Sequence, residues 1–364
     1  MVNISVEISV IIPVYNGTST IQTTLDSVVR QSVDGIEVIL VDDGSTDDLE
    51  AAIAQWKSNN HDALAQTQCT VHLFQFENAG QAIARNRGIE RSRGRYIAFL
   101  DADDQWSVDK LRAQALFLDQ HPEVGLVYSW TDCVDGWGAF VCPGSHKSSG
   151  PRAALELLIQ NYMDNGSSPM VRREVLGAVG IFSADLPPAE DWDLWLRIAE
   201  RYPIAAIPVP QVHYQVSRYS SSSNTQRLER AARQVLERAL KRQYGPPLTA
   251  ERRREGQQLR SRSLANLYIY LYFQIFRGGI QRRRIPPAMG YLIQIYRHEA
   301  QFRQDISLVF RAIAKVICLS LLPNRLAQRV LNRLGSANSA HVEILRYIST
   351  ELPPVKLPPF KTDS

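Results

Sequence analysis

Along the first part of the chain, solid runs of apolar side chains trade places with stripes at helical spacing. The run from Ile8 to Ile12 continues into Pro13-Val14-Tyr15-Asn16-Gly17, a strand followed by a Pro/Asn/Gly loop. Ile21, Leu25, Val28 and Val29 then recur as one face of a helix, with Thr18 or Ser19 as the expected N-cap. Ile36 to Val41 reads as a second strand, closed by Asp42-Asp43-Gly44-Ser45-Thr46-Asp47-Asp48. Ser45 and Asp48 have capping-box spacing ahead of a helix bearing Leu49, Ile53 and Trp56. A third strand, Val71 to Phe76, ends in Glu77-Asn78-Ala79-Gly80 and gives way to a helix over 81–92. Ile97 to Leu100 is apolar without alternation, as expected where both faces of a parallel sheet are covered. Strand and helix in this alternation predict right-handed βαβ units, hence an α/β fold with a mostly parallel, Rossmann-like sheet.

Further on, the pattern predicts a helix over 110–118 and a strand over 124–131, then loosens through loops from 136 to 151. A helix near 152–162, a turn at Asn165-Gly166 and a short strand over 168–171 follow. Glu190-Asp191 opens a helix carrying Leu194, Trp195, Ile198 and Ala199, and Ile204 to Tyr214 reads as a Pro-punctuated edge segment. The serines at 220–223 mark a boundary, giving domains at 1–223 and 224–364. Beyond it the pattern is almost wholly helical, over 226–243, 249–276, 286–300, 303–321, 324–334 and 339–350, broken at Gly and Pro pairs and ending in a loose Pro-rich tail.

Charge sharpens this division. Residues 1–225 carry 16 Lys and Arg against 28 Asp and Glu, whereas 226–364 carry 25 against 9. The basic runs Arg252-Arg253-Arg254 and Arg282-Arg283-Arg284 read as solvated helix faces, and leave room for a peripheral membrane contact. No nucleic-acid motif or aromatic platform accompanies them, so no nucleic-acid partner is expected. Cys69, Cys133, Cys142 and Cys318 form no zinc spacing and read as small residues in a reducing, cytoplasmic setting. Neither a signal peptide nor an apolar run of membrane-spanning length is expected. The segment 306–322 is read as helical core ahead of an interfacial anchor.

The chemistry concentrates in Asp101-Ala102-Asp103-Asp104, three carboxylates within four positions at a strand end. Such a turn caps a helix, or it binds a hard divalent cation whose open positions take substrate phosphates. Ligands of open α/β sheets sit outside the carboxyl ends of the strands, where this turn lies. Asp42/Asp43 and Glu190/Asp191 are further acidic features at element ends. No GxGxxG or GxxxxGK[ST] loop is present, so phosphate binding would depend on a metal.

Five segments in order, Pro13-Val14-Tyr15-Asn16, Val41 to Asp47, Glu77 to Gly80 with Ala84 to Gly88, Asp101 to Asp104, and Glu190-Asp191-Trp192, resemble a family 2 glycosyltransferase of the GT-A fold. The resemblance covers about the first 220 residues, the helical region being an addition. It implies a nucleotide pocket lined by Pro13, Tyr15 and Asp43 and bordered by Gly80 and Arg85. Asp101 and Asp103 would form a DxD motif for Mn²⁺ or Mg²⁺, with Asp103 as direct ligand and Asp101 as ribose or second contact. Asp191 matches the general base, with Glu190 beside it. The implied activity is inverting transfer from a nucleotide-sugar donor, UDP-sugar favoured, to a saccharide or lipid-linked acceptor. The competing expectation is a non-catalytic sugar- or partner-binding scaffold. Family members carry an Arg and a His after the base helix; Gln215 and Ser217 stand there in this chain, and His213 and Arg218 are left outside the expected site. Trp195 is read as core, and Trp192 as either core or a sugar platform.

Overall fold

The computed structural model describes residues 7–216, 224–245, 249–277 and 285–298. The three helices expected beyond residue 300, the 306–322 segment, Cys318, Arg282 to Arg284, Ser217, Arg218 and the serine run lie outside these residues. The chain divides into two compact units, Met1–Leu157 with Asn161–Ser217, and Leu158–Gln160 with Arg218–Ser364.

The first unit is built on strands β1 (Ile8–Val14), β2 (Ile36–Asp42), β3 (Thr70–Gln75), β4 (Tyr96–Phe99), β5 (Gln105–Trp106), β6 (Leu126–Val134), β7 (Phe140–Pro143), β8 (Met170–Arg172) and β9 (Ile204–Gln215). Helices α1 (Ile21–Val29), α2 (Leu49–Asn59), α3 (His61–Gln66), α4 (Gln81–Arg91), α5 (Lys110–Gln120), α6 (Ala153–Ile159), α7 (Arg173–Val179) and α8 (Glu190–Ala199) connect them. The sheet order is β3-β2-β1-β4-β8-β6-β9-β5, with β7 paired to β6. The block β3-β2-β1-β4 is parallel, and β1, β2 and β4 are buried along their whole length, as their unbroken apolar runs require. Antiparallel β8 joins β4 to β6, so the rest of the sheet is mixed.

Several local expectations change. Ser45 does not cap α2; its hydroxyl accepts the Asn16 amide at 2.9 Å, and the helix N-cap is Asp48. The N-cap of α1 is Thr20. The segment read as an edge strand, β9, pairs with β6 along its length and is covered on its other side by the two-residue β5 only at Val212 and His213. Pro208 and Pro210 fall in the part of β9 that is paired on one side only, where the β6–β9 register also shifts on either side of the Trp130↔Pro210 pair. β5, β7, α3 and α7 carry too short a pattern to be read in advance.

The second unit contains α9 (Thr225–Tyr244), α10 (Ala250–Arg277) and α11 (Ile285–His298), with α10 packed on both others. Asn224 caps α9 by accepting the Arg227 amide. Leu228, Ala231, Ala232, Val235, Leu236 and Ala239 form its buried stripe at three- and four-residue spacing. Arg252, Arg253 and Arg254 are exposed, the solvated face that the run suggested. Among the described residues no helix is long and apolar enough to cross a membrane.

Candidate active site

The parallel strands β1, β2, β3 and β4 end at one edge of the sheet, and the loops leaving them are tied to each other. Asn16 Oδ1 accepts the Thr46 amide at 2.7 Å, and Asp47 Oδ2 accepts the Thr18 amide at 2.9 Å. These bonds fix the Pro13-Val14-Tyr15-Asn16 segment against the 42–47 loop. Pro13 pairs with Val41 inside the sheet, while Tyr15 stands 55% exposed at the rim.

Asp43, buried at the end of β2, accepts the amides of Ala79 at 2.9 Å and Gly80 at 2.7 Å, and Arg87 approaches its Oδ1 at 3.4 Å. Its carboxylate thus anchors the β3–α4 loop from below. Gly80 holds φ +93, with open space where a Cβ would sit. Backbone conformation, not crowding, is what demands glycine here.

Arg85, one turn into α4, is the centre of the arrangement. It is 3% exposed, and donates from Nη2 to Asp101 Oδ1 at 2.6 Å and from Nη1 to Glu190 Oε1 at 3.1 Å. Burial opposes its charge, yet Asp101, Glu190 and Asp191 together outweigh burial and raise its pKa. Gly166 lets the guanidinium lie against the 164–168 backbone, where a Cβ would come within 2.7 Å of Nη2. Three segments distant in the chain, at 85, 101 and 190, meet through one side chain. Glu190 Oε2 is buried without a hydrogen-bond partner among the described residues, so Glu190 faces inward to the arginine.

The acidic turn splits its carboxylates among different tasks. Asp101 accepts from Arg85 and from Gln81 Nε2 at 2.9 Å. Asp104 is fully buried, accepting Ser167 Oγ at 2.5 Å and the Gln215 amide at 3.1 Å; burial, then Asp103 and Asp101, raise its pKa. Among the described residues Asp103 pairs with no basic side chain, and burial, then Asp101, push it up to about 6. A carboxylate crowded by two others and left without a counter-charge fits a hard divalent cation. Among the described residues no three His, Cys, Asp or Glu side chains converge as a complete ligand set. Asp103 and Asp101 are the side chains that would hold such a cation, which would supply charge neutralisation there.

Asp191 opens α8 beside Glu190, and its Oδ1 accepts the Trp192 amide at 2.6 Å. Burial, then the neighbouring Glu190, push it up to about 7, with Arg85 opposing. A carboxylate titrating near neutrality is suited to proton abstraction. Trp195 is fully buried against Phe99 and Phe182, as expected. Trp192 is buried too, donating to Leu157 O at 2.9 Å, which makes it a structural side chain rather than an exposed platform.

Ser167 is a residue that sequence reasoning missed. Its hydroxyl accepts the Asp101 amide and donates to Asp104, and its carbonyl accepts Trp106 Nε1 at 2.9 Å. In the sequence it is one of two serines after a turn, and nothing there distinguishes it. His213 contacts Ser107 Oγ at 3.4 Å next to the acidic turn, and Gln215 serves Asp104 through its backbone.

The sequence matches the family described as Glycosyl transferase family 2 over residues 9–180. The amylovoran biosynthesis glycosyltransferase AmsB of Erwinia amylovora is 30% identical over 228 residues, covering 59% of this chain and 72% of that protein. An uncharacterized glycosyltransferase of Rickettsia bellii is 31% identical over 202 residues, covering 54% of this chain; the match spans only 26% of the rickettsial protein's length. Among solved structures, TarS 1-349 of S. aureus in complex with UDP-GlcNAc superposes with a TM-score of 0.58, covering 90% of this chain and 92% of that one. At 18% identity this is a likeness of fold.

Proposed function

Because the chain belongs to glycosyl transferase family 2, we propose that it moves a sugar from a nucleotide-diphosphate donor, UDP-sugar favoured, to a hydroxyl of a saccharide or lipid-linked acceptor, with inversion at the anomeric carbon. The observation that carries this reading is the Arg85 bridge, which holds Asp101 of the acidic turn and Glu190, neighbour of Asp191, on one guanidinium. The bridge supports the reading because it ties the acidic turn of Asp101 and Asp103 to the helix start of Glu190 and Asp191. The amylovoran biosynthesis role named for the Erwinia relative, and the UDP-GlcNAc bound to the TarS neighbour, support a polysaccharide acceptor and a UDP donor.

In this reading Pro13 and Tyr15 line the nucleotide side, while Asp43 shapes that wall by holding Ala79 and Gly80. Asp103 and Asp101 would hold Mn²⁺ or Mg²⁺, which supplies charge neutralisation for the departing nucleoside diphosphate. Asp191 takes the proton of the acceptor hydroxyl. That oxygen bonds the anomeric carbon on the face opposite the donor's diphosphate, and the carbon–oxygen bond to the diphosphate breaks with its electron pair. Arg85 and Glu190 position Asp191 and Asp101. Residues 1–223 are proposed as the transferase domain and 224–364 as a basic helical domain, the whole acting in the cytoplasm.

Calorimetric titration of UDP into the intact chain tests the donor side. We expect binding that weakens at least tenfold on replacing Mn²⁺ with EDTA or on Asp103→Ala. Equal affinity with and without the cation would remove the metal, and absence of binding to any nucleoside diphosphate would remove the donor assignment.

A further inference from the structure

β6 makes its last pairing with β8 at Val127↔Met170 and continues to Val134, so its far half projects past the level at which β4 ends. At about 3.3 Å per residue this extension reaches roughly 20 Å beyond β8. There β6 is flanked by β9 and β7. Across this extension Asp132 pairs with His213, and His213 pairs with Gln105, two positions after Asp103. Paired residues share a sheet face, and neighbouring strands are about 4.8 Å apart. A half-exposed polar row therefore runs for about 10 Å from the acidic turn to Asp132.

The far end of this row carries a fixed histidine. His146 Nε2 lies 2.9 Å from Asp132 Oδ1 and 3.0 Å from Thr131 O. Both are acceptors, so Nε2 carries the proton, and Nδ1 is left without a partner among the described residues. The ring stacks on Trp130 with centroids 4.9 Å apart and planes 10° apart. Side chains of His146 and Asp132 are 29% and 20% exposed, open to a ligand but not free to turn. His146 also sits at φ +43, a left-handed conformation unusual for a residue other than glycine. Beyond it the β6–β7 turn, closed by Asp135 Oδ1 on the amides of Trp137 and Ala139, lifts Trp137 to 95% exposure.

We propose that this shelf, with Asp132 and His146 as its polar centre and Trp137 exposed on the turn beyond its far end, is a binding subsite for the acceptor saccharide. A sugar hydroxyl both donates and accepts, which matches a carboxylate and an open imidazole nitrogen side by side. A pyranose face has the flat apolar patch that an exposed indole lacks a partner for. The shelf is continuous with the acidic turn, so a saccharide lying on it presents one end to the crevice. This inference rests on the transferase reading of the crevice.

The test is saturation-transfer NMR on the intact chain with UDP and Mg²⁺, using methyl β-D-glucoside, methyl β-D-galactoside and methyl N-acetyl-β-D-glucosaminide as probes. We expect at least one glycoside to bind, with the affinity reduced about tenfold or more in His146→Ala and at least threefold in Trp137→Ala. A wild-type response in either variant, or no response of the wild-type chain to any probe, overturns the proposal. If His146→Ala fails to fold, judged by its melting curve, Trp137→Ala alone decides, since a side chain so exposed holds nothing in place. Binding of anionic lipid vesicles that is lost in Trp137→Ala, without a glycoside response, would assign the turn to a membrane and also overturn it. UDP calorimetry on the wild-type chain separates the two readings: UDP binding with unaltered glycoside affinities sinks only the shelf, whereas no UDP binding sinks the donor crevice.

Discussion

Replacing Glu190 by Gln changes one charge in the crevice and leaves its shape. Asp191 is pushed from the ordinary carboxylate range to about 7, by burial first and by Glu190 second, with Arg85 pulling the other way. A displacement of that size is about 4 kcal/mol against ionisation. A base must be deprotonated to act, so kcat/KM of the wild-type enzyme should rise with pH and level off above 7. At pH 5 it should be roughly one hundredth of its plateau. Glu190→Gln removes a like charge and also frees Arg85 from one of its two carboxylate partners. Both changes favour the ionised form of Asp191, so the acid limb should move to lower pH. At an effective dielectric of about 20, a neighbouring carboxylate is worth on the order of 1–3 kcal/mol, or one to two pH units. The assay is release of nucleoside diphosphate from a UDP-sugar between pH 5 and 9, with Asp191→Asn in parallel. The Asn variant keeps an oxygen that can accept the Trp192 amide and should lose about a hundred- to ten-thousand-fold in turnover. A limb that stays put or moves up in Glu190→Gln, or wild-type turnover in Asp191→Asn, would refute this electrostatic account.

Ser167→Ala should loosen the acidic turn, because Asp104 loses a buried donor and the Asp101 amide loses its acceptor. The expected cost is about 1–3 kcal/mol in urea unfolding, with UDP affinity falling alongside; an unaltered midpoint would show that the turn holds itself. Limited proteolysis should first cut near 220–224, at the boundary between 1–223 and 224–364, whereas a first cut within 95–200 would count against that boundary.

Which elements exist in the parallel block was written in the sequence. Unbroken apolar runs such as Ile36 to Val41 have to be covered on both faces, and three-four spacing such as Leu228 to Leu240 has to form one helix stripe. The acidic ends of β2 and β4 were legible for the same reason, since carboxylates cannot continue a buried strand. Local pattern reached its limit where pairing is non-local. The two-residue β5 has no periodicity to read, and only the ladders show that it covers the Pro-punctuated β9 at Val212 and His213. Asp43 could be read as an acid at a strand end, but its partners, two amides more than thirty residues away and Arg87, could not be read along the chain.

The site shows the same division more sharply. Sequence by itself determined that acids cluster at 101–104 and 190–191, because residue identity and spacing are local properties. Only the tertiary structure decided what each acid is for. Arg85 lies 16 residues from Asp101 and 105 from Glu190, and no pattern along the chain measures that convergence. Folding places one buried guanidinium between two of the acids, commits Asp104 to Ser167 and Gln215, and leaves Asp103 and Asp191 without such full compensation. Desolvation depends on what packs around a carboxyl group, so the raised pKa values of Asp104, of Asp103 at about 6 and of Asp191 at about 7 could be identified only after the chain had closed around them.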